Sequence, residues 1–142
     1  MKLKTYNEFL SEAAQYTSNQ NHSALALQGL HLRTQIHIFH WQTEVGDAHK
    51  ALGEFYEEFI DELDNLVEVT MGKYGRVSVK GLPMAAPLTD LSDINPSDFV
   101  EKYVTMFETY RDDTFKNDPE IQNIIDEIVA RIHKLKYLLT MS

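Results

Sequence analysis

Hydrophobic residues recur every three or four positions along almost the whole chain, which is the spacing of an amphipathic α-helix. The clearest run begins at Ala48, and its apolar positions are Ala48, Leu52, Phe55, Tyr56, Phe59, Ile60, Leu63, Leu66, Val67 and Met71. Gly72 and Gly75 follow this run, and glycine commonly lies just beyond the end of a helix. The pattern therefore predicts one long helix in this part of the chain.

Three further segments show the same spacing. The first begins after the capping side chains of Asn21-His22-Ser23 and continues towards Trp41. The second begins at Asp98, which is predicted to cap it. The third begins at Asp118-Pro119, where a capping side chain is followed by proline at the first helical position.

The links between the four helices are short, long and short in turn. Residues 43–47 form the first link, and the proline-containing stretch 76–97 forms the long one. This order predicts an all-α fold, a ferritin-like four-helix bundle with one long crossover between helices 2 and 3. A plain up-down bundle, in which 76–97 only meanders, is the alternative. Residues 1–20 are interpreted as an N-terminal leader or a short helix, and residues 21–142 as the bundle.

Composition narrows the class of protein. None of the apolar runs in the 142 residues approaches the roughly 20 needed to cross a bilayer, and the first residues lack the apolar region of a secretory signal. The absence of cysteine excludes disulfides, iron–sulfur clusters and thiol catalysis. A net charge of −9 argues against a surface built to wrap nucleic acid. Six histidines leave one kind of metal site open, made of imidazole and carboxylate ligands.

Two histidines and two acidic residues are the candidates for such a site. On a helical wheel His49, Asp64 and Glu68 border the apolar stripe of the long helix. Asp64 and Glu68 are four residues apart, so their carboxylates project to one side. His40 lies at the end of the preceding helix, and His37 lies one turn before it. Two imidazoles and two carboxylates suit ferrous iron, manganese or zinc. A solvated acidic face is the simpler interpretation of the two acids taken alone.

These residues resemble the ferroxidase signature of the Dps proteins, the miniferritins named as DNA-binding proteins from starved cells. The similarity consists of His40-Trp41, a short turn, His49, and then Asp64 and Glu68. It is close over about residues 25–75 and looser over the last two helices. The resemblance implies an iron site between two subunits, with His40 and His49 from one chain and Asp64 and Glu68 from its partner.

The resemblance also implies an activity and an assembly. The protein would bind and oxidise Fe(II) with peroxide or oxygen as the electron acceptor, for iron sequestration and oxidative protection in the cytoplasm. Zinc or manganese would be substitute metals. Two-fold dimers would build a hollow homo-oligomeric shell, a dodecamer by family resemblance. Ordinary ferritins use Glu-x-x-His within one bundle, and this sequence contains no such motif, so an intrachain di-iron site is not expected.

The sequence departs from the Dps pattern in four ways, one of which is proline in the crossover 76–97, where family members often show a small helix at the dimer contact. The stretch between Trp41 and His49 is a few residues shorter than usual. Gly53 occupies the position at which an additional aspartate ligand is common, which predicts a weaker second metal position or none. The chain has no lysine-rich tail, so DNA binding is not expected. The shorter turn and Gly53 favour the alternative function, a non-enzymatic structural or packaged protein that keeps the fold without a working metal site.

The N-terminal stretch Lys4–Ala13 resembles the capsid-targeting leader of internal proteins in large contractile-tailed phages. Such leaders are cut by a maturation protease after Leu/Ile-x-Glu, here between Glu12 and Ala13. The resemblance implies a phage-encoded protein that enters the prohead with the scaffold and ends inside the virion. The alternative is a short amphipathic helix that packs Tyr6, Phe9 and Leu10 on the bundle.

The remaining aromatic and histidine residues are interpreted as structural. Four aromatic residues at helical spacing are predicted to lie in the core, namely Tyr56, Tyr103, Phe107 and Tyr110. His22 and His31 have no acidic partner at a useful spacing. The chain contains no nucleophile elbow, P-loop or glycine-rich dinucleotide turn, so hydrolase, kinase and dehydrogenase functions have no support.

Overall fold

The computed structural model describes residues 18–82 and 86–142, and within these ranges the long elements are all α-helices. There are four of them: α1 (Ser18–Gln42), α2 (Gly46–Tyr74), α3 (Pro96–Thr109) and α4 (Pro119–Leu139). A 3₁₀ turn, Leu91–Asp93, precedes α3, and a turn of π-helix, Tyr110–Thr114, follows it. The predicted all-α class with four helices is confirmed. The helix expected near Tyr6–Tyr16 lies outside the described residues.

The start of α3 differs from the prediction. The helix begins at Pro96, and the side chain of Asn95 accepts a hydrogen bond of 2.8 Å from the backbone N–H of Ser97. Proline has no N–H to leave unpaired at the first helical position, so Asn95-Pro96 is a complete start signal. The prediction that Asp98 caps this helix is therefore wrong. Helix α1 also begins earlier than predicted, at Ser18.

Asp118 precedes α4 as predicted, but its carboxylate does not cap the helix. The side chain is buried and accepts hydrogen bonds from Lys73 and Tyr74 at the end of α2. It therefore ties the start of α4 to the end of α2. Helix α2 ends at Tyr74 and is followed by Gly75, whose φ of 99° suits glycine, in agreement with the glycine that the sequence places at this end.

One hydrophobic core lies between the four helices. Helix α1 packs mainly on α2, α2 on α4, and α3 on α4. The largest fully buried side chains are Tyr103, Phe39, Phe59, Phe99, Phe107 and Phe115. Tyr110 is also buried, whereas the fourth predicted core residue, Tyr56, is only half-buried. In the described ranges no helix is both long enough and apolar enough to traverse a bilayer.

Helices α1 and α2 approach each other closely. A Cβ atom added at Gly29 of α1 would overlap the end of the Leu63 side chain on α2. Glycine in the middle of a helix is less favourable than alanine by roughly 0.5–1 kcal/mol, so such a residue indicates a packing requirement. Here the requirement is room for the Leu63 side chain against the backbone of α1.

The connection between α2 and α3 follows α1 along its length. Four α1 side chains hydrogen-bond to its backbone at 2.8–2.9 Å: His22 donates to the Gly75 carbonyl, Ser23 accepts from Ser78, Gln35 donates to and accepts from Thr89, and Gln42 accepts from Leu91. These bonds satisfy backbone groups that lack regular secondary structure. The connection is therefore held near both ends of α1.

His31 is a buried polar residue beneath this connection. Its Nδ1 lies 2.5 Å from the hydroxyl of Tyr103 on α3. Burial lowers the pKa of His31 below its ordinary value, because water no longer stabilises the imidazolium. The neutral form is therefore favoured, in agreement with a structural role.

The buried carboxylate of Asp118 predicts how stability depends on pH. Burial raises the pKa of Asp118, but the hydrogen bonds from Lys73 and Tyr74 and the charge of Lys73 outweigh it, so the pKa lies below 3.8. A carboxyl group whose pKa is lower in the folded protein than in the unfolded one stabilises the fold at any pH above its unfolded pKa. That stability is lost as the pH falls through the folded pKa. We expect Asp118→Asn to reduce the free energy of unfolding at pH 7 by about 1–2 kcal/mol.

Urea unfolding from pH 7 to pH 3 measures this effect. The difference in the free energy of unfolding between the wild type and Asp118→Asn should be constant above about pH 5 and shrink below about pH 4. The exposed residue Asp113 provides the control, because Asp113→Asn removes the same charge without breaking these bonds. Equal effects of the two substitutions at pH 7 would contradict the prediction.

Candidate metal centre

His40 and His49 lie against each other where α1 ends and α2 begins. The short link between the two helices, residues 43–45, reverses the chain and brings the end of α1 beside the first turn of α2. The ring centroids are 3.8 Å apart and the ring planes differ by 20°, so the imidazoles are stacked. The structure therefore brings together the two histidines that the sequence predicts as ligands.

Each ring is held by the backbone of the other residue. Nδ1 of His40 is 2.7 Å from the carbonyl oxygen of His49, and Nδ1 of His49 is 2.8 Å from the carbonyl oxygen of His40. A carbonyl oxygen only accepts, so both Nδ1 atoms must carry the hydrogen. In the neutral form, each Nε2 then keeps a lone pair. A hydrogen bond at the other ring nitrogen is how proteins orient a histidine that binds a metal.

Gly53 provides the space in which the ring of His40 lies. A Cβ atom at this position would be 2.8 Å from Cε1 and 3.0 Å from Nδ1 of His40. The ring cannot easily move away, because its Nδ1 is hydrogen-bonded to the carbonyl of His49. Any residue larger than glycine would therefore displace the imidazole or disrupt this hydrogen bond.

The sequence indicated Gly53 as the site of a missing ligand and did not reveal this role. Two signals were present: a glycine inside a long helix, and a link between Trp41 and His49 that is shorter than in Dps proteins. The structure connects them, because the short link places His40 directly over α2. The two departures from the Dps pattern are thus parts of one local arrangement.

Aromatic side chains surround the histidine pair on α1 and α2. His37 stacks on Tyr56 with a centroid distance of 4.0 Å and lies 4.4 Å from the ring of Trp41. The guanidinium of Arg33 lies over the ring of Tyr56, 5.5 Å from its centroid. Tyr56 therefore lies at the edge of the core, partly buried against it, with histidine and arginine packed on its ring.

The pKa of His37 is lowered by its surroundings. Partial burial contributes most, and the positive charge of Arg33 and the neighbouring His40 contribute further. The neutral imidazole is therefore favoured at this position. With its ring stacked on Tyr56, His37 supports the position of His40 by packing.

Asp64 and Glu68 lie farther along α2, and both are exposed. Asp64 follows His49 by 15 residues, which is about 22 Å along a helix. One chain therefore cannot bring the histidine pair and the acidic pair to the same cation. In agreement, residues 18–82 and 86–142 contain no group of three or more histidine or acidic side chains placed to hold a metal.

The acidic residues of α2 differ in whether they are paired. Arg131 of α4 forms ion pairs with Glu58 and with Glu62, the latter at 2.6 Å. Within the part of the chain that the structure describes, neither Asp64 nor Glu68 forms an ion pair. Their carboxylates are therefore available to a cation or to another chain.

The contact between Gly53 and His40 generates a prediction. We expect Gly53→Ala to lower the free energy of unfolding by about 1–3 kcal/mol, because the new methyl group overlaps the imidazole. Gly72→Ala is the matched control, since Gly72 lies in the same helix and a Cβ atom there has open space. This control should raise stability by up to about 1 kcal/mol, the usual gain for alanine in a helix.

Urea unfolding gives the stabilities, and nitrogen-15 NMR of the imidazoles reports the His40 tautomer. The wild type and Gly72→Ala should show Nδ1 protonated, and Gly53→Ala should lose that signature at His40. If Gly53→Ala is as stable as Gly72→Ala and keeps the signature, the assigned role of Gly53 is wrong.

Similarity to known proteins was found with the model of one protein family. No curated protein and no solved structure matches the chain. One family model does match, that of a family of unknown function, DUF5856, over residues 40–139. The match includes His40, His49, Asp64 and Glu68 and covers 100 of the 142 residues. On this basis the chain belongs to the DUF5856 family.

Proposed function

We propose that this protein is a Dps-like ferroxidase that binds Fe(II) at a site between two subunits and oxidises it. His40 and His49 of one chain supply nitrogen ligands, and Asp64 and Glu68 of the partner subunit supply carboxylates. The protein thereby sequesters iron and protects against oxidative damage. Zinc and manganese are expected to compete for the same ligands.

The histidine pair is the observation that carries the proposal. His40 is partly exposed and His49 is exposed, and in both the Nδ1 atom is bound to a backbone carbonyl, which is how metal-binding histidines are oriented. Gly53 leaves room for the ring of His40, which keeps the pair in this position. The donor set therefore fits a divalent transition metal.

The positions of the acidic residues support a shared site. Asp64 and Glu68 are one helical turn apart, exposed, and far from the histidines of their own chain. Each chain thus has two half-sites: the histidine pair beside the first turn of α2, and the acidic pair farther along the same helix. Two copies related by a two-fold axis would combine them into two complete sites.

The helix arrangement supports the ferritin-like form of the bundle. Phe39 near the end of α1 contacts Phe99 near the start of α3, with centroids 5.5 Å apart. Asp118, after α3, is bonded to the end of α2. Helices α2 and α3 therefore run in the same direction, which is the reason that a long crossover is needed between them.

The chemistry follows from the donor set. The two carboxylates favour the ferric product over the ferrous substrate, because the higher charge gains more from negative ligands. One hydrogen peroxide molecule takes one electron from each of two Fe(II) ions and two protons, and it leaves as two water molecules. The protein contributes the binding and the orientation of the ligands.

The assembly and location belong to the same proposal. Two-fold dimers would assemble into a hollow shell, a dodecamer by resemblance to Dps proteins, in the cytoplasm. Residues Lys4–Ala13 would act as a phage leader that is cut after Glu12 by the maturation protease, which would place the mature protein inside the virion. These residues lie outside the described part of the chain, and the mass of the protein in virions would reveal the cut.

Anaerobic titration with Fe(II) tests the proposed site. The full-length protein should bind Fe(II) saturably, and His49→Ala and Asp64→Ala should each weaken binding by at least about tenfold, since each removes one ligand. His133→Ala and Asp61→Ala are matched controls, because both residues are exposed and lie outside the site. Binding that is equal in all four variants would reject the proposal.

The alternative function is a structural or packaged protein that keeps the fold without a working metal site. Gly53 favours it insofar as the aspartate ligand common in Dps proteins is missing here. Elemental analysis after purification without chelators separates the two functions. Iron bound in the wild type but not in His49→Ala supports the ferroxidase, and no metal in either supports the alternative.

A further inference from the structure

The connection between α2 and α3 ends in a segment that runs beside α1. We call this segment, residues 86–95, the strap. Two neutral amide side chains of α1 hold it with two hydrogen bonds each, all of 2.8 Å. Gln35 donates to the carbonyl of Thr89 and accepts from its N–H, and Gln42 makes its two bonds one and two residues later. The helix therefore holds the strap without using a charged group of its own.

The strap buries little apolar surface. Of residues 86–95 only Ala86 is buried, and Leu88 is 47% exposed. An open groove of about 330 Å³ lies between the strap and α3, beside Phe99. A segment with few buried apolar contacts opens at a lower free energy than the core does. The strap is therefore attached mainly by hydrogen bonds, and a change in one interaction beneath it can shift its position.

His31 of α1 lies buried beneath the first residues of the strap. The backbone carbonyls of Ala86 and Pro87 hydrogen-bond to its ring and favour its charged form. On the other side, its Nδ1 lies 2.5 Å from the hydroxyl of Tyr103 on α3. His31 thus joins the strap to two helices at the point where the strap is most buried.

Most of the groups that face His31 are uncharged. From α3, the phenol of Tyr103 lies against the ring, and Lys102 lies at the rim of the groove. From the strap, Asp93 lies at the same rim with the opposite charge. The chain from residue 81 to residue 89 contains no titratable side chain, and the adjacent turns of α1 carry buried glutamines. The ring is therefore placed where a positive charge is costly.

The protonation of His31 is coupled to the position of the strap. Burial lowers the pKa of His31 while the strap is closed, and its hydrogen-bonding carbonyls offset this only in part. When the strap opens, water reaches the imidazole and the pKa returns towards its ordinary value of 6.5. The open form then binds a proton more readily than the closed form, so acid favours opening.

We propose that the strap is an acid-sensitive device in which protonation of His31 releases residues 86–95 from α1. Opening exposes the side of α1 that carries His31 and Gln35, a surface that the protein covers at neutral pH. The proposal uses none of the candidate metal ligands and does not depend on the proposed function.

The ordinary pKa of histidine limits the size of the effect. Below pH 6.5 the equilibrium constant for opening rises by up to about tenfold for each pH unit, until the pH reaches the lowered pKa of His31. Between pH 7 and pH 5 the equilibrium constant for opening therefore rises by at most about 25-fold.

Amide hydrogen exchange of the full-length protein at pH 7 and pH 5 tests the proposal, with rates corrected for the intrinsic effect of pH. The probe is the N–H of Thr89, because it is bonded to the side chain of Gln35. We expect its protection factor to fall by between about threefold and about 25-fold in the wild type. It should not change in His31→Gln, which cannot take up the proton. His133→Gln is the matched control, since His133 is an exposed histidine on α4, and it should respond to pH as the wild type does.

Three results would overturn the proposal. The first is equal protection of Thr89 at the two pH values in the wild type. The second is an equal loss in the wild type and His31→Gln, because another group would then cause the release. The third is a parallel loss at Ile128, a buried residue in the middle of α4, because the whole fold would then be opening.

An NMR titration of the wild-type histidine rings gives a second test that does not require His31→Gln to fold. The pKa of His31 in the closed protein should lie below that of His133. The loss of protection at Thr89 should match this pKa, since a pKa one unit below 6.5 permits a loss of about tenfold and no more. A pKa of His31 at or above 6.5, or a loss of protection larger than its pKa permits, would reject His31 as the cause.

Discussion

The close packing of α1 on α2 is the constraint on which the rest of the structure depends. Two glycines permit it, Gly29 opposite Leu63 and Gly53 opposite His40. Because the helices are close, a link of three residues is enough to join them, and the end of one helix reaches the first turn of the next. The stacked histidines exist only because of this geometry. The candidate metal centre is thus a consequence of helix packing and not an addition to it.

Helix α1 uses its polar residues inside the molecule. The amides of Gln35 and Gln42 and the side chains of His22 and Ser23 bind the backbone of the connection to α3. Neutral side chains suit this task, since a buried backbone group requires a hydrogen-bond partner and a buried charge would cost free energy. As a result α1 places one apolar side in the core, with Leu32 and Ile36, and turns part of its polar side towards its own chain, while Leu30 and Trp41 remain exposed.

The sequence predicts the coarse fold well and the local details less well. Periodic apolar residues were sufficient for the four helices and for Gly75 and Pro119 as boundary residues, because these signals are local. Asn95 was missed as a cap because Asp98, three positions later, is also a potential capping residue. Pro96 identifies Asn95 as the cap, since proline favours the first position of a helix. Tyr56 has the spacing of a core residue, and only the tertiary structure shows that it lies at the edge of the core with His37 and Arg33 on its ring. Pairing of His40 with His49 could be anticipated from their positions, but the role of Gly53 depends on a distance between helices that no spacing reveals.

The mutual bonds of the paired imidazoles fix the orientation of both rings. Each Nδ1 is bound to the backbone carbonyl of the other residue, so neither ring can turn over without breaking such a bond. The backbone that supplies the two carbonyls is the end of α1 and the first turn of α2. The direction in which each Nε2 points is therefore set by the joint between two helices, and a ligand that reaches these nitrogens meets side chains that are already ordered.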